Sequence, residues 1–136
     1  MPLDEDAVKV IGSLRIGIAH YNVYLNEADE WSRCLLTELT QWSLEFPLPL
    51  GDTALGLVHS LCVSSAALGF FALAELAQAL EQALVQRRLV ATPAQVHLVV
   101  DAAEDIRRLL HQFAAGFLKQ PDPGLLSSLR AMVQTG

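Results

Sequence analysis

Apolar side chains recur every three or four residues through residues 93–118, and this spacing places them on one face of an α-helix. The stripe consists of Val96, Val99, Ala103, Ile106, Leu110, Phe113 and Phe117. Thr92 and Gln95 have the pattern of a capping box, with Pro93 at the first helical position, so the start of this helix is also predicted. A helix with such a stripe must bury it against other elements.

Three other segments carry the same helical spacing, and prolines or glycines separate them. Together with the segment already described, they cover residues 26–46, 52–69, 71–88 and 93–118. Because the connections between them are short, they predict an all-α fold, an antiparallel four-helix bundle spanning residues 26–118. A short C-terminal helix is predicted over residues 122–134, where Asp122-Pro123 opens a further apolar stripe.

The first 25 residues give a weaker pattern. Gly12 and Gly17 interrupt them, and we expect an N-terminal arm over residues 1–25, with a short helix over residues 5–11. Asn26 is the expected N-cap of the first long helix, and Asp52 that of the second. No segment has a convincing strand pattern.

The length of 136 residues fits a single domain, and the net charge disfavours some classes of binding partner. There are 9 basic and 15 acidic residues, a formal net charge of −6, which disfavours binding to nucleic acid or to an anionic membrane. The acidic start is unlike a signal peptide, and no apolar run reaches the roughly 18 residues of a membrane span. We therefore expect a cytoplasmic protein.

The second predicted helix carries two apolar rows. One row is expected to face the core, and the other lies about a hundred degrees away around the helix. This second row comprises Leu55, His59, Cys62, Val63 and Ala66. His59 would then stand on the surface within a small apolar patch, and such patches usually mark docking surfaces.

The residues from His59-Ser60-Leu61 through Leu68-Gly69-Phe70 resemble the signature of histidine-phosphotransfer (HPt) domains, H-S-[IL]-K-G-x-[AS]-x-x-[LF]-G. Members of that family carry Glu or Gln 22 residues after the histidine, and Glu81 stands at that position here. The segment from Tyr21 to Ala28 resembles the HPt modules of CheA-like sensor histidine kinases that govern type IV pili.

The resemblance implies a module of a two-component, chemotaxis-type phosphorelay. His59 would accept phosphate on Nε2, Glu81 would hold Nδ1, and the phosphate would pass to an aspartate of a response-regulator receiver domain. The expected partners are a histidine-kinase ATPase domain and that receiver domain, which would hold the Mg²⁺. Because the sequence has no Gly-rich nucleotide loop, we expect no bound cofactor and no autonomous catalysis. The chain is expected to be a monomeric domain excised from a longer kinase.

Two residues depart from the family pattern. Cys62 replaces a lysine that helps to hold the phosphate, and Val63 replaces a glycine that leaves room for the partner. Three consequences remain open: slower transfer, substitution by another cation, or a special partner. Arg87 and Arg88 are the cations considered for that substitution. The apolar row, with Leu55 and Ala66 beside these two residues, is the predicted docking surface.

Two other functions compete with phosphotransfer. A degenerate HPt fold could act as a docking or scaffold protein without accepting phosphate. An unrelated helical bundle could instead bind a small apolar ligand or assemble a complex. It would place His59 in the interior, or more than ~6 Å from Glu81, beyond hydrogen-bond reach. No metal site is expected, because His20, His97 and His111 lack the i, i+4 spacing of a helical metal pair.

Overall fold

The computed structural model describes residues 7–87 and 91–134. Within them, a two-stranded antiparallel sheet precedes five helices. The strands are β1 (Val8–Ile11) and β2 (Leu14–Gly17). The helices are α1 (Ile18–Glu45), α2 (Asp52–Leu68), α3 (Phe71–Arg87), α4 (Pro93–Ala114) and α5 (Pro123–Gln134). The prediction of a mainly helical domain is confirmed.

The four long helices enclose one apolar core. Helices α1 and α3 each pack against both α2 and α4, and α5 packs against α3 and α4. Short segments connect these four helices in sequence order. The largest fully buried side chains are Phe70, Phe113, Ile11, Leu35, Leu39, Leu61, Leu73, Leu76, Leu80, Leu84, Ile106 and Leu109.

The prediction that no segment forms a strand is wrong. Residues 8–17 form a β-hairpin, with Val8 opposite Gly17 and Ile11 opposite Leu14. Its turn contains Gly12 at φ 59°, a conformation that glycine adopts without steric cost. The predicted helix over residues 5–11 is contradicted at residues 8–11, and residues 1–6 lie outside the described part. The hairpin packs against the bundle, because Ile11 and Ile16 are buried in the common core.

The first long helix begins at Ile18, eight positions before the expected N-cap Asn26. Tyr21, Tyr24 and Ala28 are buried and extend the apolar stripe of α1 towards its N-terminus. The arm predicted over residues 1–25 is therefore wrong from residue 18 onward. Asn26 is exposed within the helix, because the buried tyrosines outweigh its preference for a cap.

Two glycines in the left-handed conformation end helices. Gly69 (φ 96°) closes α2, and the Phe70 N–H donates to the Ser65 carbonyl, as in a Schellman motif. Gly116 (φ 97°) closes α4 in the same way, so this helix ends at Ala114 rather than at 118. Phe117, expected in the buried stripe, is consequently 56% exposed.

The N-termini of α4 and α2 are built differently. In the predicted capping box, Thr92 Oγ1 accepts from the Gln95 N–H at 3.1 Å, and Gln95 Oε1 accepts from the Thr92 N–H at 2.9 Å. This prediction is confirmed. The N-cap of α2 is Gly51, and Asp52, expected at the cap, is the first helical residue.

Candidate functional site

His59 and Glu81 lie opposite each other on two adjacent helices. His59 is in the first half of α2, Glu81 is in the second half of α3, and only Gly69 and Phe70 connect the two helices. His59 Nδ1 is 3.0 Å from Glu81 Oε2, within hydrogen-bond distance. The expected juxtaposition is therefore present, with side chains 62% and 27% exposed, respectively.

The geometry determines which imidazole nitrogen is free. A carboxylate accepts hydrogen bonds, so the proton of a neutral His59 ring is placed on Nδ1, which donates to Glu81. Nε2 then carries the lone pair. Within the described residues, the structure gives Nε2 no hydrogen-bond partner. The arrangement leaves one ring nitrogen nucleophilic and accessible to solvent.

The position of His59 follows from the packing of α2. Ala54, Val58 and Leu61 are fully buried, so their side of the helix faces the core. His59 follows Val58 and is turned about a hundred degrees from it, towards solvent and the α3 seam. The same turn brings the histidine within reach of Glu81, which is itself half-buried on α3.

The four predicted docking residues surround His59 on α2. Val63, at 54% exposed, and Ala66 point into solvent. Leu55 and Cys62 are half-buried and pack partly against the core. The expected apolar patch is therefore present, although two of its members are less exposed than the sequence pattern indicates.

Cys62 contributes no positive charge to this site. Burial raises the pKa of its thiol, and the negative charge of Glu81 raises it further. The group is therefore a neutral thiol near neutral pH. A neutral thiol stands where the family resemblance predicts a lysine.

Four of the described arginines form ion pairs with carboxylates other than Glu81. Arg33 and Arg107 pair with Asp29, and Arg108 pairs with Asp105. Arg130 pairs with Glu75. Whether Arg87 or Arg88 reaches the histidine lies outside the described residues and side chains.

A surface groove of about 320 Å³ adjoins the Glu81 side of the site. It is lined by Glu81, Gln82, Val85, Gln86 and Val133. Val133 comes from α5, a helix to which the sequence pattern assigned no part in the site. No sequence signal indicated this contribution, because the packing of α5 on α3 is a tertiary contact.

The other three histidines lie on α1 and α4. His20, His97 and His111 are exposed, and His111 Nε2 lies 3.4 Å from Arg107. Within residues 7–87 and 91–134, no group of three or more His, Cys, Asp or Glu side chains could hold a metal ion. In the same residues, no helix is long and apolar enough to cross a membrane.

Comparisons with protein-family models, curated proteins and solved structures find no match to this chain. Inferences about function consequently depend on the geometry of the site and on the motif around His59.

Proposed function

We propose that the chain is a histidine-phosphotransfer domain of a two-component phosphorelay. The observation that carries this proposal is the 3.0 Å contact between His59 Nδ1 and Glu81 on an exposed ring. It supports the proposal because a phosphate acceptor needs one nitrogen held by a partner and the other free to attack. An antiparallel four-helix HPt fold is part of the proposal, supported by the neighbour order of α1 to α4.

The proposed reaction is a reversible transfer between nitrogen and oxygen. Nε2 of His59 attacks the γ-phosphorus of ATP bound by the partner kinase domain, or the phosphorus of another phosphoryl donor. An N–P bond forms as the bond to the donor's leaving group breaks, and Nδ1–H stays bonded to Glu81. An aspartate of a receiver domain then attacks the phosphorus and releases neutral His59. Such transfers depend mainly on positioning and charge stabilisation.

The proposed partners act on the apolar surface around His59. A kinase ATPase domain would supply phosphate, and a receiver domain carrying Mg²⁺ would accept it, both in the cytoplasm. The exposed Val63 and Ala66 offer a contact surface with no charged side chain of their own. The resemblance of the Tyr21 to Ala28 segment favours a relay of the chemotaxis-type kinases that govern type IV pili, and the module is proposed to be a monomer.

Phosphoramidate tests the acceptor without requiring a partner. Transfer would form an N–P bond to His59 and release ammonia. We expect acid-labile, alkali-stable phosphate on the wild-type chain and none on His59→Ala. His97→Ala is the matched control, because it removes another exposed histidine from a helix. Equal labelling of wild type and His59→Ala, or no labelling of folded wild type by phosphoramidate or by an active kinase domain with ATP, would refute the proposal.

The second candidate is docking without phosphotransfer, and the neutral Cys62 thiol favours it. A phosphoryl group on His59 would meet no positive charge from this residue. In that case His59→Ala should leave partner binding and cellular function unchanged, whereas Val63→Glu should abolish binding. Loss of cellular function in His59→Ala with binding intact would exclude this alternative.

A further inference from the structure

The side chains of α2 are apolar on most sides of the helix. Asp52 is its only aspartate, glutamate, lysine or arginine. The core-facing row is buried, while Leu55, Leu57 and Cys62 on neighbouring sides also pack partly against the core. A helix with a narrow apolar stripe has one favourable rotation about its axis, but a helix that is apolar on most sides does not. Burial therefore selects the side of α2 that faces the core, but it determines the exact rotation of the helix weakly.

One buried polar contact on α2 is directional. The hydroxyl oxygens of Tyr24 in α1 and Ser65 in α2 are 2.7 Å apart, and both residues are buried. Burial raises the pKa of Tyr24, so the phenol remains neutral and the bond joins two neutral hydroxyls. A hydrogen bond weakens steeply when its angle changes, whereas apolar contacts tolerate small rotations. Rotating α2 would also leave a buried hydroxyl without a partner.

His59 and Ser65 belong to the same helix, so the rotation that suits one determines the position of the other. A side chain about 6 Å from the helix axis moves by about 1 Å when the helix rotates by ten degrees. The Nδ1 to Oε2 distance is 3.0 Å, and a shift of that size would take it beyond hydrogen-bond range. Water competes for both groups because the ring is exposed.

We propose that Tyr24 and Ser65 are positioning residues for His59, because their buried hydrogen bond sets the rotation of α2 that presents Nδ1 to Glu81. The inference rests on the proposed function only in taking Nε2 as the phosphate acceptor. Neither residue touches the reacting atoms. Both act through the orientation of the helix that carries them.

The test measures the ¹⁵N resonances of the His59 ring in the unphosphorylated chain, which report which nitrogen carries the proton. Tyr24→Phe and Ser65→Ala each remove one hydroxyl of the pair. Tyr21→Phe is the matched control, because the Tyr21 hydroxyl leaves the same helix one turn earlier and donates to the Phe113 carbonyl at 3.0 Å, on α4.

We expect the Nδ1–H form of His59 in the wild type and in Tyr21→Phe. In Tyr24→Phe and Ser65→Ala we expect a mixture of the two tautomers, with phosphoramidate labelling about tenfold slower because the nitrogen is misplaced. The double variant should resemble either single one, since both remove the same bond. Ser65→Ala deletes one oxygen atom, and it carries the test if Tyr24→Phe fails to fold.

The inference is overturned if Tyr24→Phe and Ser65→Ala lower the melting temperature, as Tyr21→Phe does, while the His59 resonances stay as in the wild type. The role of the pair would then be structural only. The failure of the proposed function has a different signature. Absence of phosphate on the wild type would refute phosphotransfer, while the tautomer measurement, which needs no donor, would still decide the role of Tyr24 and Ser65.

Discussion

Helices α2 and α4 differ in how their sequences determine their positions. Helix α4 has one apolar face, a capping box at its start, and arginines on its other sides that reach neighbouring elements. Helix α2 is apolar on most sides, and its N-cap Gly51 makes no side-chain hydrogen bond. The position of α4 is largely specified by its own residues. Helix α2 instead depends on its neighbours and keeps an apolar surface around His59 uncovered.

The prediction with the largest expected effect compares how much stability a buried side chain of each helix contributes. Ile106 in α4 and Leu61 in α2 are both fully buried. Replacing either with alanine should lower the free energy of unfolding by about 2–5 kcal/mol, because each leaves a cavity. Denaturant titration measures the loss. A loss below about 1 kcal/mol for Leu61→Ala alone would mean that α2 packs loosely, and that its outer surface is not its only difference from α4.

The second prediction concerns the outer surface of α2. Cys62→Lys places a positive charge one turn from His59, where the wild type has a neutral thiol. The lysine stem can lie along the apolar patch with its ammonium group in water. We expect phosphoramidate labelling of His59 about tenfold faster, equivalent to about 1.4 kcal/mol, because the developing charge on the phosphoryl group is stabilised.

Cys62→Gln is the matched control, since it adds length without charge and should leave the labelling rate near that of the wild type. An unchanged rate in Cys62→Lys, with its fold intact, would show that the missing lysine is not what limits transfer. Pairing of the new ammonium group with Glu81 would also leave the labelling rate unchanged. The His59 tautomer distinguishes this pairing from a lysine that has no influence on transfer.

The third prediction compares the two N-termini. Thr92→Ala removes a side chain that accepts from the Gln95 N–H, and it should cost about 1 kcal/mol of stability. Gly51→Ser adds a capping hydroxyl where α2 has none, and it should gain a few tenths of a kcal/mol. Thermal unfolding of both variants checks the signs. A larger gain at Gly51 than the loss at Thr92 would reverse the contrast between the helices.

The same contrast explains which parts of the fold the sequence predicts. In α4, the apolar periodicity and the capping box predict the same helix. Only its last turn is mispredicted, because Gly116 ends the helix in a left-handed conformation. The hairpin is not predicted because its strands are only four residues long, too short for their partial alternation of apolar and polar residues to be distinctive. It is stabilised by burying Ile11 and Ile16 in the core that the helices share. The start of α1 is mispredicted at Asn26 because the capping preference of asparagine depends only on neighbouring residues. The helix begins earlier because Tyr21 and Tyr24 pack in the core, which is a tertiary interaction.

The candidate site also has one part that the sequence predicts and another that it does not. The spacing between His59 and Glu81 was read from a family motif, and the structure places the two side chains 3.0 Å apart. The contribution of Val133 and the Tyr24 to Ser65 bond have no signature in the sequence. Each depends on how two helices face one another, which periodicity within one helix does not specify.

The smallest expected effect concerns how α1 holds its two neighbours. Arg107 of α4 donates to Asp29 of α1, while α2 is attached to α1 through the neutral pair of Tyr24 and Ser65. Hydrogen bonding to Arg33, and then to Arg107, lowers the pKa of Asp29. A lowered folded-state pKa means that the stabilisation is complete above the unfolded pKa of about 3.9 and is lost as pH falls through the folded value.

The acid dependence of stability should therefore differ between the two attachments. Asp29→Asn should flatten the loss of unfolding free energy below about pH 4, by a few tenths of a kcal/mol because the carboxylate is largely exposed. Tyr24→Phe should lower stability by the same amount at every acidic pH, since no titrating group is removed in that range. Denaturant titration from neutral to acidic pH measures both slopes. An acid slope in Asp29→Asn as steep as that of the wild type would show that the contact between α1 and α4 contributes no charge-dependent stability, and the two attachments would then differ in geometry alone.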